Sequence, residues 1–239
     1  MNGSLHEIKL YFAYTSPYSY LAMQPAYDLE LSHSVRVRFI PYGVSIRKVY
    51  GPLDREDADR RKVRYLYLDA RRIAKERGLV IYPPKKIFSA RLAFYGGLYA
   101  AKNRQFRPYS NRVFDRFWKQ ELDVESRDAI SAIVAEVGLD PAEFVRYADR
   151  GARADLDACF AEADRDKVFG VPTFIVDGEP FWGEDRIEWV IRKLDAMGFR
   201  RRRRTSRAIA GGVGDMGGTR SGARGRCLPD GRDLPALES

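Results

Sequence analysis

Cysteine is all but missing from this 239-residue chain. The two that occur, Cys159 and Cys227, stand far apart and in no metal-ligand or dithiol spacing, which argues against a disulfide framework, a zinc site and a redox pair. Free, reduced thiols and no metal centre are the expectation. Long apolar runs are missing too. None approaches the roughly 18–20 residues of a membrane-spanning helix, and the N-terminus lacks the positive-then-apolar pattern of a secretory signal. A cytoplasmic protein with no membrane partner is expected. Histidine is equally scarce: His6, near the start, and His33, on a polar loop, show no partner pattern for catalysis.

Acidic residues are in deficit mainly at one end. Of the net charge of +9, the segment from Arg200 onward contributes +6, from ten arginines against four acids. The rest of the chain is nearly balanced, so a nucleic-acid partner is not expected, and Arg200 to Arg204 read as a solvated run. Beyond Phe199, leucines 228, 234 and 237 are too sparse to build a core, and disorder is the expected state of residues 199–239.

What remains is 45% apolar in composition and long enough to bury a substantial core. Glu7 to Phe12 reads as a strand, Pro17 to about Leu31 as a helix and Val35 to Ile40 as an alternating strand, which makes a βαβ unit. Charged helical patterns follow: about Asp54 to Gly78, with Val63, Leu66, Tyr67, Ala70 and Ile73 on one face, then about Phe88 to Lys102, Ser110 to Gln120, Ser126 to Val137, and two more between Pro141 and Ala163. Thr173 to Val176 and Pro180 to Gly183 form two strand arms around the hairpin turn Asp177-Gly178. A last helix runs from about Asp185 to Met197. The expectation is an α/β fold, βαβ and ββα, with residues 6–45 and 165–198 as one domain, 46–164 as a helical insertion and 199–239 as a tail.

Ser16 falls at the first strand-to-helix turn, on the sheet edge where α/β folds commonly bind ligands. In thioredoxin-like proteins that turn carries Cys-Pro-x-Cys, and the helix N-terminus stabilises the leading thiolate. Here the frame reads Ser16-Pro17-Tyr18-Ser19. Hydroxyls at both positions remove dithiol chemistry, because oxygen cannot form a disulfide. An anion-favouring helix end and a hydrogen-bonding hydroxyl survive, so the anion must come from a ligand, and a thiol fits. The plain alternative is that Ser16 only caps its helix with Pro17 at its first position. In a thioredoxin-like fold, Pro172 of Val171-Pro172-Thr173 is cis, faces that turn and leaves the Val171 backbone free to pair with an extended peptide. A proline that simply opens a strand is ordinary.

Three stretches together carry a resemblance: Tyr11-Phe12-Ala13-Tyr14-Thr15-Ser16-Pro17-Tyr18-Ser19-Tyr20-Leu21-Ala22, Val168-Phe169-Gly170-Val171-Pro172-Thr173-Phe174, and Phe181-Trp182-Gly183-Glu184-Asp185-Arg186. Over about residues 7–197 the chain resembles the DsbA-like thioredoxin superfamily, and within it the glutathione-dependent 2-hydroxychromene-2-carboxylate isomerases and the kappa-class glutathione transferases. The resemblance implies glutathione as cofactor. Ser16 would hydrogen-bond its sulfur, the Val171 backbone beside Pro172 would pair with its cysteinyl part, and Glu184-Asp185 would hold its γ-glutamyl amino group. Asp185 has a second candidate job as a helix cap.

The implied reaction belongs to aromatic catabolism and interconverts a cyclic hydroxychromene carboxylate and an open benzylidene pyruvate. Thiolate addition makes the conjugated double bond single, rotation follows, and elimination restores the thiol. The aromatic substrate's carboxylate needs a cation, for which Lys85 and Lys86, or Arg47 and Lys48, are placed by position. Tyr18 and Trp182, ahead of Tyr14 and Tyr42, are candidate pocket walls. Ala13 and Phe88-Ser89 depart from the acid and asparagine that many relatives carry, so the substrate pocket is the part expected to differ. The competing expectations are a kappa-like glutathione transferase and a non-catalytic, DsbA-like peptide-binding protein. Relatives are often dimers, which makes a homodimer an expectation.

Overall fold

Ile8, Leu10, Tyr11 and Phe12 are nearly consecutive apolar residues, and a strand of that pattern is stable only where both of its faces are covered. In the computed structural model, which describes residues 5–43 and 58–201 (for 58–60 the backbone alone), they lie in β1 (His6–Phe12), at the centre of a four-stranded sheet. The described elements continue with α1 (Pro17–Ser32), β2 (Val35–Pro41), α2 (Ala58–Glu76), α3 (Arg91–Lys102), α4 (Phe106–Trp118), α5 (Arg127–Glu136), α6 (Pro141–Arg150), α7 (Ala152–Arg165), β3 (Thr173–Val176), β4 (Glu179–Trp182) and α8 (Ile187–Ala196).

The sheet order is β2-β1-β3-β4. β1 pairs parallel with β2 through the α1 crossover and antiparallel with β3, which turns back into β4. Asp177 and Gly178 both have positive φ, 52° and 78°, the backbone that a tight two-residue hairpin needs. This is a mixed α/β sheet of the thioredoxin type, and the end of β1, the start of α1 and the start of β3 meet at one edge.

Among the described residues, the larger hydrophobic cluster runs from the sheet into the helices, and a smaller one around Tyr11, Ile40 and Ile175 covers the other face. The Phe12 ring meets Tyr14 at 5.2 Å, Phe106 at 5.7 Å and Phe94 at 6.3 Å between centroids, so the strand that carries the turn is anchored by α3 and α4. Gly96 and Gly97 make this approach feasible: a Cβ on them would lie 2.1 Å from the Tyr109 hydroxyl and 2.6 Å from that of Tyr14.

Several boundaries differ from the sequence reading, each for a local reason. α3 starts at Arg91 rather than Phe88, because the Ser89 N–H is drawn to the Glu125 carboxylate at 2.8 Å. α4 begins at Phe106, ahead of Pro108, which is tolerated in a first turn where its missing N–H has no intrahelical role. Glu184–Arg186 forms a single 3-10 turn before α8. His33, read as lying on a polar loop, is buried at the C-cap of α1. Its ring bonds Ser32 Oγ at 2.8 Å and Asp195 at 3.1 Å.

Residues 199–201, read as the start of a disordered tail, are tied down. Phe199 stacks on His6 at 4.5 Å, Arg200 pairs with Asp195 at 2.7 Å, and Arg201 donates to the His33 carbonyl at 2.8 Å. The remainder of that segment lies outside the described residues, as do Arg47, Lys48 and Cys227. No described helix is long and apolar enough to cross a membrane.

Pro25 sits inside α1 and cannot donate to the Leu21 carbonyl four residues back. Arg77, just past α2, takes the vacated acceptor: its Nη1 donates to Leu21 O at 2.8 Å, while Nη2 donates to Glu184 at 2.9 Å.

Candidate active site

The sheet edge and the helices enclose a cleft of about 1240 Å³. Ser16, Val171, Pro172 and Asp185 line it from the sheet side, and Leu66 and Arg91 from the helical side. Residues far apart in sequence are thus brought to one cavity.

Ser16 is the N-cap of α1, with extended backbone (φ −100°, ψ 118°), and Pro17 follows as the first helical residue. Its Oγ accepts the Ser19 N–H at 3.2 Å. With a lone pair committed to the helix, the hydroxyl proton remains for donation into the cleft. Ser19 has the opposite fate. It is fully buried, and its Oγ accepts the Ala13 N–H at 3.2 Å, tying the end of β1 to α1. Of the two hydroxyls in the frame, one faces ligand space and the other holds the turn together.

Across the cleft, the Val171–Pro172 peptide is cis. Among the described residues, neither the N–H nor the C=O of Val171 is hydrogen-bonded, whereas Pro172 O accepts from Gly183 N at 2.9 Å. Gly170 lets Trp182 fold over this strand entry, since a Cβ there would lie 2.5 Å from the indole nitrogen. Trp182 remains 51% exposed on the cleft rim, edge-on to Phe169 at 4.8 Å.

The two neighbouring carboxylates differ. Glu184 is 6% exposed and paired with Arg77, which also carries the free carbonyl of α1. Asp185 is exposed and pairs with its neighbour Arg186 at 2.5 Å. Neither caps a helix: the residue at the cap of α8 is Arg186, with no side-chain hydrogen bond. The capping role read for Asp185 is therefore corrected; the residue lines the cleft, with its carboxylate on Arg186.

The helical wall was mostly missed in the sequence. Val63, Leu66, Tyr67 and Ile73 of α2 have the spacing of a core-facing stripe, yet they line the cleft. Tyr18 also lines it and donates to Asp69 at 2.8 Å. Tyr14 does not: it is buried against Phe114 at 4.9 Å with its hydroxyl on Ser110 at 2.8 Å, and burial raises its pKa. Tyr42 bonds the Val168 carbonyl away from the cleft. Lys85, expected as a substrate cation, is not among the residues that line the cleft and borders a neighbouring 340 Å³ cavity. Lys86 does line the cleft, 2.5 Å from Glu125. Cys159 is half-buried, and burial pushes its thiol up to about 11, so it is protonated at neutral pH.

Residues 7–195 match the family described as DSBA-like thioredoxin domain. The 2-hydroxychromene-2-carboxylate isomerase of Pseudomonas putida is 30% identical over 188 residues, 75% of this chain and 90% of that protein. The enzyme of the same name from Sphingobium xenophagum is 28% identical over 190 residues, 77% of this chain and 95% of that protein. A solved 2-hydroxychromene-2-carboxylate isomerase matches with a TM-score of 0.68 at 25% identity, across 80% of this chain and 96% of that one. This chain therefore belongs to the DsbA-like thioredoxin family and, within it, to the 2-hydroxychromene-2-carboxylate isomerases.

Proposed function

We propose that the protein is a glutathione-dependent isomerase of the 2-hydroxychromene-2-carboxylate isomerase type, acting on a conjugated aromatic carbonyl compound in aromatic catabolism. The observation that carries this reading is Ser16 at the cleft wall, its Oγ accepting from its own helix, an arrangement that leaves the hydroxyl proton for donation. When bound, glutathione supplies a thiolate that adds reversibly to a conjugated carbon and leaves again.

The protein's part is to bind, orient and stabilise. The Ser16 hydroxyl donates to the sulfur anion, and the N-terminus of α1 favours negative charge at the same point. The unpaired Val171 N–H and C=O match an extended peptide, and Asp185 offers a carboxylate to an ammonium. Leu66 and Ile73 exclude water from the apolar part of the substrate. These groups fit a thiol tripeptide on the sheet side and an aromatic molecule on the helical side. Ser19, buried on the Ala13 N–H, and Cys159, protonated and half-buried, supply no second thiol chemistry.

Calorimetry with glutathione on the intact chain and on Ser16→Ala tests the first half, and isomerisation of a hydroxychromene carboxylate with and without glutathione tests the second. Binding by the intact chain and thiol-dependent turnover are expected. Absence of glutathione binding would turn the reading toward the peptide-binding alternative, and full turnover without thiol would contradict the mechanism.

A further inference from the structure

Three described cations line the cleft, and two of them have an acid beside them: Lys86 is 2.5 Å from Glu125 and Arg186 is 2.5 Å from Asp185. Arg91 lines the same cleft and has no hydrogen bond or ion pair among the described residues.

Its position explains this. Arg91 is the first residue of α3, and the residues three and four places on, one turn up the same face, are Phe94 and Tyr95, which offer no charge. Helical side chains lean toward the N-terminus, so the guanidinium reaches back beyond the helix end. That end has no side-chain cap, and its dipole adds to the positive field. The surroundings are aromatic. Phe94 lines the cleft and packs on Tyr14 at 5.7 Å, beside the Ser16 turn, and Phe88 and Phe117 continue the wall.

An unpaired guanidinium at the margin of an aromatic wall suits a molecule that carries a carboxylate on an aryl or conjugated frame, because the planar fork binds carboxylate through two parallel hydrogen bonds. We propose that Arg91 is the carboxylate receptor for an aromatic or conjugated carboxylate substrate. The reaction that would follow rests on the function proposed above, but the binding does not. Glutathione also carries carboxylates. Its proposed peptide partners, Val171 and Asp185, lie on the sheet side, whereas Arg91 shares the helical wall with Phe88, Phe94 and Phe117.

Cinnamate, with cinnamamide as its neutral counterpart, is the probe, and binding is read by calorimetry in the absence of thiol. Arg91→Gln is expected to weaken cinnamate binding about tenfold or more, the loss of a charge-assisted pair of hydrogen bonds. Arg91→Lys recovers part of it, while cinnamamide and glutathione bind the variants as they bind the intact chain. Unchanged cinnamate affinity in Arg91→Gln, or no cinnamate binding by the intact chain, overturns the proposal. A variant that loses glutathione and keeps cinnamate assigns the receptor to the tripeptide and overturns it as well. Cinnamate binding that depends on Arg91 in a chain that binds no glutathione leaves this proposal standing and removes the glutathione reading alone.

Discussion

The two sides of the cleft are built from different materials. On the sheet side the recognition groups are a helix-capping hydroxyl, the bare backbone of Val171 and a carboxylate on a single turn. Each is fixed by chain geometry. On the helical side they are long side chains, Lys86, Arg91 and the apolar stripe of α2, that project from separate elements. The first arrangement suits one ligand that does not vary. The second can be changed residue by residue without disturbing the turn that carries the chemistry.

The largest test of that contrast lies within the Ser16-Pro17-Tyr18-Ser19 frame. Ser16→Ala removes the donor to a thiolate, and turnover with glutathione is expected to fall about 100-fold or more, the usual loss of a hydrogen bond aimed at developing charge. It also loses a helix cap, at about 1 kcal/mol. Ser19→Ala reverses the pattern. It strands the buried Ala13 N–H at a cost of about 1–3 kcal/mol, seen as a lower melting temperature, while turnover per folded molecule stays within about twofold. Equal losses of turnover in the two variants would erase the distinction between a chemical and a structural hydroxyl.

Glu184 and Asp185 give the next comparison. Glu184→Gln leaves the partly exposed Arg77 without its buried counter-charge and loosens the bridge to the Pro25 gap of α1, so stability is expected to fall by about 2–3 kcal/mol. Asp185→Asn leaves stability unchanged, because its pair with Arg186 is exposed. It weakens glutathione about tenfold, measured by calorimetry, through loss of a charge-assisted bond to the ligand ammonium. If Glu184→Gln alone weakened glutathione, the buried carboxylate would be the ligand's partner.

This division of material also decided what could be read in advance. The βαβ and ββα halves, the Ser16 cap and the Val171-Pro172-Thr173 strand entry are local patterns, and local patterns are visible in a sequence. The stripe Val63, Leu66, Tyr67, Ile73 is equally visible, but periodicity says only that a face is apolar, not whether protein or ligand covers it. Arg91 is one of many arginines, and what distinguishes it is that it lines the cleft without an ion pair among the described residues, a fact about space. Lys85 and Lys86 were indistinguishable for the same reason. Tyr14 was misplaced because aromatic residues beside a site are as often its foundation as its wall.

The smallest effect concerns how the helical wall is held. Glu125 takes the Lys86 ammonium at 2.5 Å and the Ser89 N–H at 2.8 Å, so one carboxylate pins the segment between the Pro83-Pro84 turn and α3. Lys86 first, and then the Ser89 N–H, hold the Glu125 carboxyl below its ordinary 4.5. A depressed carboxyl contributes above its ordinary range, and the contribution is lost as pH falls through the lowered value. The tie is therefore complete at pH 7 and weakens only in acid below 4.5. Since the pair is exposed, Glu125→Gln at pH 7 is expected to raise the substrate KM only about twofold, with kcat and glutathione affinity unchanged. An acid dependence of KM is expected of the intact chain and should be lost in the variant. A fall in kcat of the same size as that of Ser16→Ala would mean that the wall shapes the chemical step, and the separation between a fixed thiol side and an adjustable substrate side would not hold.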